Sequence, residues 1–552
     1  MRSRTLSEIL LETNLISPDK LKSANSKRVL SGESLLESIL TDKMVSFPDL
    51  SYILDKHYGI PTCDLNETTP EKNALILLDY SFCMRYKVIP IRISGFRLVA
   101  AMRDPINNRV HDDIFAKTGC RIEAYFAPED MILSSIHQYY GKDRIEKLSE
   151  TLVQESSHNM PVQVLPDVTD APAVALTDSL LDAAAAYQAS DIHIEVLENY
   201  VRVRFRVDGH LRVFKQLDPA LLPNIIARLK VMSNLDVSQK RLPQDGHFYK
   251  TLGSANVDFR LSTIPTYFGE KAAIRLIYKD KAWMPKEALG FEEQDLEQIS
   301  ALFNNPYGAV LLTGPTGCGK STTLSSFLSS LNDDKRNIVT IEDPVEHVIP
   351  GITQINVNPK AGLTFANALR SILRQDPDIL MVGEIRDEET AQLAIQAAIT
   401  GHLLLSTLHT YDAASTITRL ADMNVPGYLT AAALRGIISQ RLVRRICESC
   451  KTQKHISKEH AKLLDLPENT VVSEGVGCPR CGNTGYKGRV AVYEYLIIDD
   501  ELSALIDSKS GLADIRLYLA KKQFVSILET SIKKVIQGVT TTNEVISNVI
   551  FS

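Results

Sequence analysis

The sequence has no long uninterrupted hydrophobic segment. Nowhere do about 18 apolar residues follow one another, and the basic N-terminus MRSRTLSEILL lacks the apolar run of a signal peptide. An excess of positive charge is also missing, because 61 Lys and Arg stand against 67 Asp and Glu, for a net charge of -6. This balance disfavours a nucleic-acid binder. Without an export signal or a membrane span, the protein is expected to reach a membrane only by docking on a partner or on the lipid surface. The eight cysteines, four scattered and four in two pairs, suit reduced thiols rather than a disulfide framework, which predicts the cytoplasm.

The length of 552 residues predicts roughly three or four domains, and the pattern of the chain suggests where they divide. A weak helical repeat, in which Leu6 recurs as Leu35, occupies residues 1–57, and mixed helix and strand patterns follow over 58–141. Residues 142–172 are polar and proline-bearing, which predicts a linker. A strand-rich domain over 173–284 contains the hairpin signal YVRVRFRVDGHLRVF, and from 285 to 552 strands and helices alternate as in a doubly wound α/β fold.

The run GAVLLTGPTGCGKSTTL carries the clearest chemical signal. An apolar strand leads directly into a glycine-rich turn, which is followed by a helix, as a phosphate-binding P-loop requires. Lys320 is expected to reach the β- and γ-phosphates, and the Ser321 hydroxyl to bind Mg2+. The predicted ATP- and Mg2+-binding residues are Gly314, Pro315, Thr316, Gly317, Cys318, Gly319, Lys320, Ser321 and Thr322.

Three later segments each deliver a polar residue at or just after the end of an apolar strand. They are IEDPVE with Glu342, VGEIRD with Glu384 and STLHT with His409. An isolated EDPVE string would be interpreted as a solvated acidic loop. In order behind a P-loop, these segments resemble the Asp box, Walker B and His box of the type II secretion and type IV pilus assembly ATPases, the GspE/PilB family, and the resemblance covers almost the whole chain.

The resemblance implies a RecA-like ATPase core over 285–552, preceded by a PAS-like α/β domain. It also implies that Glu342 is the general base, that Glu384 supports Mg2+ through water and that His409 senses the γ-phosphate. Arg260 and Arg275 occupy the places from which this family supplies arginines to the γ-phosphate, although both also fit plain charges on a strand face. The family works as homohexamers on an inner-membrane platform protein, so the chain is expected to be peripheral to that membrane through protein partners.

Four of the eight cysteines form two pairs, Cys447-x2-Cys450 and Cys478-x2-Cys481. Four soft ligands with glycines beside the second pair favour a structural Zn2+ site, with redox disulfides and an iron–sulfur cluster as the alternatives. In the resembling family such an element over 447–481 occurs in assembly ATPases and is absent from retraction motors. The direction of work is therefore expected to be extension or export.

The N-terminal repeat departs from the cyclic di-GMP motif of some family members. That motif begins Arg-Leu-Gly and carries a later Gly, whereas this chain begins its two copies Thr5-Leu6-Ser7 and Ser34-Leu35-Leu36. Asn14 and Lys43 stand where the later Gly would fall. These departures count against cyclic di-GMP binding and leave docking on the membrane platform as the alternative role.

Two other functions and one further site are compatible with parts of the sequence. The main alternative function is a nucleic-acid translocase or helicase on the same core. The only dense basic cluster that could favour it consists of Arg441, Arg444 and Arg445. A solvated or inter-subunit face is the simpler interpretation of this cluster. A non-hydrolysing scaffold is the third class of function.

By residue type alone, a metal site could be formed by Asp191, His193 and Glu195. Their alternation with apolar residues instead predicts the polar face of a strand. Whether a type IV pilus or a type II secretion system is served stays open.

Overall fold

A computed structural model of the chain describes residues 5–550 apart from 14, 19, 23, 25–33, 43, 66, 158–171, 253–254 and 279–283. The chain divides into two compact units, Met1–Asp280 and Lys281–Ser552. Every helix among the described residues is too short or too polar to cross a lipid bilayer.

The first unit begins with three short helices, α1 (Leu6–Glu12), α2 (Leu35–Thr41) and α3 (Phe47–Tyr58). Each begins after a hydroxyl residue whose side chain accepts a backbone N–H of the first turn, as an N-cap does. Their apolar faces share one core with Phe126. Asn14 and Lys43 lie outside the described residues.

A small α/β layer follows these helices. In its sheet β1 pairs antiparallel with β2, and β2 pairs parallel with β3. The elements are α4 (Lys72–Leu75), α5 (Tyr80–Tyr86), β1 (Val88–Ser94), β2 (Arg97–Met102), α6 (Asn108–Thr118), β3 (Arg121–Phe126) and α7 (Glu129–Ser157).

Helix α7 corrects part of the predicted linker. Residues 142–157 continue this helix without a break, while residues 158–171 lie outside the described part. Over residues 142–152 only a narrow stripe faces the protein interior: Ile145, Leu148 and Leu152 pack against the core of the sheet that follows. A spacing of three and four residues places these side chains on one helix face. So sparse a stripe gives no sustained apolar pattern in the sequence.

The strand-rich part of the first unit is a six-stranded antiparallel sheet in the order β6-β5-β4-β9-β8-β7. The predicted hairpin is confirmed, because β5 and β6 pair across Asp208-Gly209, and both turn residues have the positive φ that a tight hairpin requires. The elements are α8 (Pro172–Ala186), β4 (Asp191–Val196), β5 (Val201–Val207), β6 (His210–Leu217), α9 (Leu222–Met232), β7 (Gln244–Leu252), β8 (Ala255–Thr266) and β9 (Gly269–Tyr278).

The second unit is built on a seven-stranded sheet in the order β12-β11-β13-β14-β10-β15-β18, parallel except for β18. This is the predicted α/β core. Its elements up to β15 are α10 (Glu293–Phe303), β10 (Gly308–Thr313), α11 (Lys320–Leu331), β11 (Ile338–Glu342), β12 (Thr353–Asn356), α12 (Phe365–Ile372), β13 (Ile379–Val382), α13 (Glu388–Ile399), β14 (Leu403–Leu408), α14 (Ala413–Asp422), α15 (Gly427–Ala433) and β15 (Leu434–Ile446).

A small two-stranded sheet, the cysteine pairs and a group of helices complete this unit. Arg444 on β15 donates to the buried carboxylate of Glu544 from its side chain (2.6 Å) and from its backbone (2.9 Å), which ties the last helix to the central sheet. The remaining elements are β16 (Lys451–His455), α16 (Lys458–Leu463), β17 (Val471–Gly475), β18 (Tyr486–Ile497), α17 (Asp500–Asp507), α18 (Leu512–Lys521), α19 (Ile527–Ile536) and α20 (Thr542–Val545).

Candidate active site

The P-loop joins the wholly buried strand β10 to helix α11. Its glycines Gly314, Gly317 and Gly319 have φ values of +141°, +80° and +91°, which side-chain-bearing residues rarely adopt. The backbone N–H groups of this turn therefore lie at the N-terminus of α11, where the helix dipole also favours an anion. Of the predicted ligand-binding residues, Pro315, Thr316, Gly317 and Ser321 are exposed, and Gly314, Cys318 and Lys320 are buried.

Lys320 is the first residue of α11 and its side chain folds over the loop. Its Nζ donates to the carbonyl oxygens of Gly314 (2.7 Å) and Pro315 (3.1 Å). Burial lowers the pKa of this ammonium group, and the Cys318 and Glu384 side chains raise it in part. Because no carboxylate pairs directly with Nζ among the described residues, the ammonium charge is available to an anion in the loop.

Glu342 ends strand β11, and its carboxylate is oriented by two donors. The Thr340 hydroxyl (2.7 Å) and the Gln354 amide (3.0 Å) both donate to Oε1. Gly383, at the end of β13, lies directly against this residue: a Cβ atom at Gly383 would stand 3.4 Å from Glu342 Cα and 3.2 Å from the Ile341 carbonyl oxygen. Glycine at 383 thus lets the ends of the two strands approach closely.

Glu384 follows this glycine and is mostly buried, with 14% of its side chain exposed. One carboxylate oxygen pairs with Arg386 (2.6 Å), and the other lies 3.6 Å from Nε2 of His409. The ends of β13 and β14 are fixed to each other, since the Thr407 hydroxyl donates to the Gly383 carbonyl (2.8 Å). The structure therefore gathers Glu342, Glu384 and His409 at the carboxyl edge of the sheet that also carries the P-loop.

A family model described as "Type II/IV secretion system protein" matches residues 167–547, more than half of the chain. The chain belongs to that family. A second model, the MshEN domain, matches residues 58–146. The relatives at high identity bear the names of pilus assembly ATPases and type II secretion proteins, so this chain is an ATPase motor of pilus assembly or secretion.

Three relatives illustrate the similarity. The chain is 38% identical to the type IV pilus assembly ATPase PilB of Myxococcus xanthus over 99% of both proteins. It is 41% identical to the PilB of Thermus thermophilus over 94% of this chain, but spans only 59% of that relative's length. It is 41% identical to the type II secretion system protein E of Dickeya dadantii over 76% of this chain and 86% of the relative.

A solved structure supports the fold of the ATPase. The Legionella pneumophila ATPase DotB aligns with a TM-score of 0.51, covering 70% of this chain and 96% of DotB at 23% identity. At that identity the likeness shows the fold alone.

The basic cluster on β15 is only partly exposed to solvent. Arg441 is 6% exposed, and its guanidinium donates to the carbonyl oxygens of Tyr411 (2.7 Å) and Gln440 (3.1 Å). Burial lowers the pKa of this guanidinium. With Arg444 bound to Glu544, only Arg445 of the three arginines is exposed. The prediction of a solvated face was wrong for Arg441, which is buried and bound to backbone carbonyl oxygens, while Arg444 is half-buried against Glu544.

Gln354 and Gln440 are site residues that the sequence did not indicate. Gln354 orients Glu342 from the neighbouring strand β12, and Gln440 on β15 contacts the P-loop. Neither lies in a recognisable motif, and Gln440 is separated from its partner Cys318 by 122 positions. For Gln440, the only signal in the sequence was its polar side chain within the apolar strand pattern of LRGIISQRLVRRI.

Arg260 and Arg275 lie in the first unit, as directly paired residues of β8 and β9. Arg275 is 70% exposed and its Nε lies 3.2 Å from an Asp191 oxygen, while Arg260 is 40% exposed and lies 4.0 Å from Asp258. Both belong to one polar face of the six-stranded sheet. Both guanidinium groups reach solvent.

Asp191, His193 and Glu195 lie on this same face of β4, in the predicted alternation with the buried Ile192 and Ile194. Glu195 is paired with arginines of the neighbouring strand at 2.7 and 2.9 Å. Asp191 pairs with Arg206 and Arg275, so the two carboxylates serve cross-strand ion pairs.

The four predicted metal ligands come together. Cys447, Cys450, Cys478 and Cys481 place all their Sγ atoms within 4.8 Å of one another, with contacts of 3.7 to 3.9 Å. Thiolates bound at about 2.3 Å around a tetrahedral zinc lie about 3.8 Å apart, so this geometry fits zinc. Burial raises the pKa of the Cys481 thiol, but the backbone N–H groups of Cys478 and Gly485, together with the Cys478 and Cys450 thiols, outweigh it and bring the pKa to about 6. Burial raises the pKa of the Cys447 and Cys450 thiols.

Proposed function

We propose that ATP is hydrolysed at this P-loop with Glu342 as the general base for the attacking water. The contact between Gly383 and Glu342 carries the proposal, because it brings two acidic strand ends together on the edge where Lys320 lies. Thr340 and Gln354 hold the Glu342 carboxylate in one orientation. Phosphoryl transfer depends on such positioning of the water and on neutralisation of the developing charge.

Lys320 and the backbone N–H groups of the loop bind the β- and γ-phosphates, with Thr322 completing the first turn of the helix. Ser321 and Glu384 offer the hard oxygen donors that suit Mg2+, the latter through water. When bound, Mg2+ neutralises charge on the phosphate oxygens. His409, held beside Glu384, is proposed to contact the γ-phosphate and so to report its presence.

The test of the site is Lys320→Ala in the full chain, measured by phosphate release and by nucleotide titration. We expect ATPase activity to fall to background and nucleotide affinity to drop at least tenfold, because the loop loses its only ammonium group. The exposed Lys335→Ala is the matched control and should behave as the unaltered chain. Normal hydrolysis by Lys320→Ala would overturn the assignment.

We propose further that the ATPase acts as a homohexamer in which Arg260 and Arg275 reach the γ-phosphate. Their exposed guanidinium groups support this role, since arginine donors placed at a transferring phosphoryl group stabilise its charge. Sedimentation analysis should give a six-subunit particle with nucleotide. In mixtures of Lys320→Ala and Arg275→Ala chains, recovery of activity would place Arg275 in a neighbouring subunit's site.

The proposed work is extension of a type IV pilus or export by a type II secretion system, at the cytoplasmic face of the inner membrane. Relatives from both machines support it, as does the four-cysteine element, which is proposed to hold a structural Zn2+. The N-terminal region is proposed to dock on the inner-membrane platform protein rather than to bind cyclic di-GMP. We expect the full chain to capture the platform's cytoplasmic domain and to release no heat when it is titrated with cyclic di-GMP. Failure to capture that domain, together with heat on addition of cyclic di-GMP, would contradict the proposal.

A further inference from the structure

Strand β15 runs parallel to β10, and their register pairs Thr313 with Ser439. The next residue on β15, Gln440, therefore lies beside the P-loop at the point where β10 ends. Its side chain is 2% exposed. A buried amide this close to a phosphate-binding turn must have its donor and acceptor satisfied by specific partners.

Both ends of the Gln440 amide bind the P-loop segment. Its Nε2 donates to the carbonyl oxygen of Cys318 (2.7 Å), inside the loop. Its Oε1 accepts from the hydroxyl of Thr323 (2.9 Å), which is fully buried in the first turn of α11. One side chain thus connects the loop to the helix that follows it.

Two of the P-loop glycines are packed against the same residue. A Cβ atom on Gly314 would stand 2.4 Å from the Gln440 carbonyl oxygen, and one on Gly319 would stand 2.9 Å from its Nε2. Gln440 therefore forms the wall on the β15 side of the turn. Arg441 extends that wall, since it joins the Gln440 carbonyl to the Tyr411 carbonyl just beyond His409.

We infer that Gln440 is a positioning residue for nucleotide binding, which fixes the P-loop in its phosphate-binding shape through Cys318 and Thr323. The inference rests on the proposed binding of ATP at Lys320. The carbonyl of Cys318 must point away from the phosphates for the neighbouring N–H groups to point toward them, and the Gln440 amide holds it there. The loop amides bind the β-phosphate, which ADP and ATP share, so the affinity for both nucleotides depends on this hydrogen bond.

The experiment compares Gln440→Leu, Gln440→Glu and Thr323→Val in the full chain. Titration with ADP and with a non-hydrolysable ATP analogue, both with Mg2+, gives the two Kd values, and thermal unfolding without nucleotide reports folding. We expect Gln440→Leu to raise both Kd values by the same factor, about tenfold or more, because two buried hydrogen bonds are lost. Gln440→Glu keeps the shape and an acceptor for Thr323 but loses the donor to Cys318, and should give a similar increase. Thr323→Val should give a smaller one.

The exposed Gln396→Leu is the matched control and should leave both Kd values unchanged. Unaltered Kd values in a folded Gln440→Glu chain would overturn the inference, as would a lower unfolding temperature without any change in Kd. If Lys320→Ala also bound nucleotide normally, the proposed function would fail. If Lys320→Ala lost binding while Gln440→Glu kept it, only the role of Gln440 would fail.

Discussion

A Cβ atom on Gly383 would stand 3.2 Å from the Ile341 carbonyl oxygen and 3.4 Å from Cα of Glu342, the residue proposed as the general base. The first distance is tighter than most Cβ contacts and the second is ordinary van der Waals contact, so a side chain at 383 requires the backbone that leads into Glu342 to give by a few tenths of an ångström. Strand β13 is itself tied down, because Gly383 donates to the Ile341 carbonyl (2.8 Å) and accepts from Thr407. The position of Glu342 is therefore coupled to the absence of a side chain on the neighbouring strand.

Gly383→Ala is expected to lower kcat about tenfold while leaving the Kd for nucleotide unchanged. A shift of a few tenths of an ångström at a catalytic carboxylate misaligns the attacking water, and small misplacements have large effects on rate. Steady-state phosphate release and nucleotide titration measure the two quantities. Gly511→Ala, where the added Cβ meets nothing closer than 3.8 Å, serves as the control. An unchanged kcat in the Gly383→Ala variant would show that catalysis by Glu342 tolerates the displacement.

Glu342→Gln is expected to reduce kcat by roughly 10² to 10⁴, the usual contribution of a general base. The amide has the shape of the carboxylate but cannot accept the proton of the attacking water. Nucleotide affinity should persist, because Glu342 does not belong to the P-loop. Single-turnover hydrolysis with pre-bound ATP gives the rate. A residual rate within twofold of the unaltered chain would remove Glu342 from the role of base.

Cys478→Ser is expected to reduce zinc content from about one ion per chain to a small fraction, because a four-thiolate site loses a ligand. Elemental analysis of the purified chain measures this directly. The unfolding temperature should also fall, since a structural zinc contributes to folding. Cys120→Ser, which alters a half-buried cysteine outside the cluster, should retain the metal. Zinc-free protein of unchanged stability would contradict a structural metal site.

Glu292→Gln tests an ion pair between the residue that precedes helix α10 and Lys534 on helix α19. Lys534 donates to Glu292 at 2.5 Å, and this hydrogen bond lowers the carboxyl pKa below its usual 4.5. A lowered pKa means that the pair contributes stability above pH 4.5 and loses it as the pH falls through the folded-state pKa.

The variant should therefore unfold about 2–4 °C lower than the unaltered chain at pH 7, as expected for about 1 kcal/mol in a domain of this size. The difference should shrink progressively below pH 4.5. Differential scanning calorimetry across pH 3.5 to 7 follows it, with the exposed Glu297→Gln as the control. A difference that is constant over this pH range would mean that the loss is one of packing and not of charge.

The sequence by itself determined the parts of this protein whose geometry is local. The P-loop is a strand, a turn and a helix in succession, so GPTGCGKS specifies its own shape through glycine φ values and the helix that follows. The hairpin at Asp208-Gly209 is local in the same sense. Within each cysteine pair, the two-residue spacing brings both thiols close together, so the sequence already indicated one site formed by all four cysteines.

Tertiary structure decided what lies between distant segments. The parallel sheet joins residues that are far apart in the chain, and this alone places Gln440 under the P-loop and explains why glycine occupies position 383. It also buried Arg441, which the sequence suggested was part of a charged surface, against backbone carbonyl oxygens, and it half-buried Arg444 against Glu544. The sequence does not show which groups a polar side chain will bind, because a hydrogen bond depends on proximity in space and produces no periodic pattern along the chain.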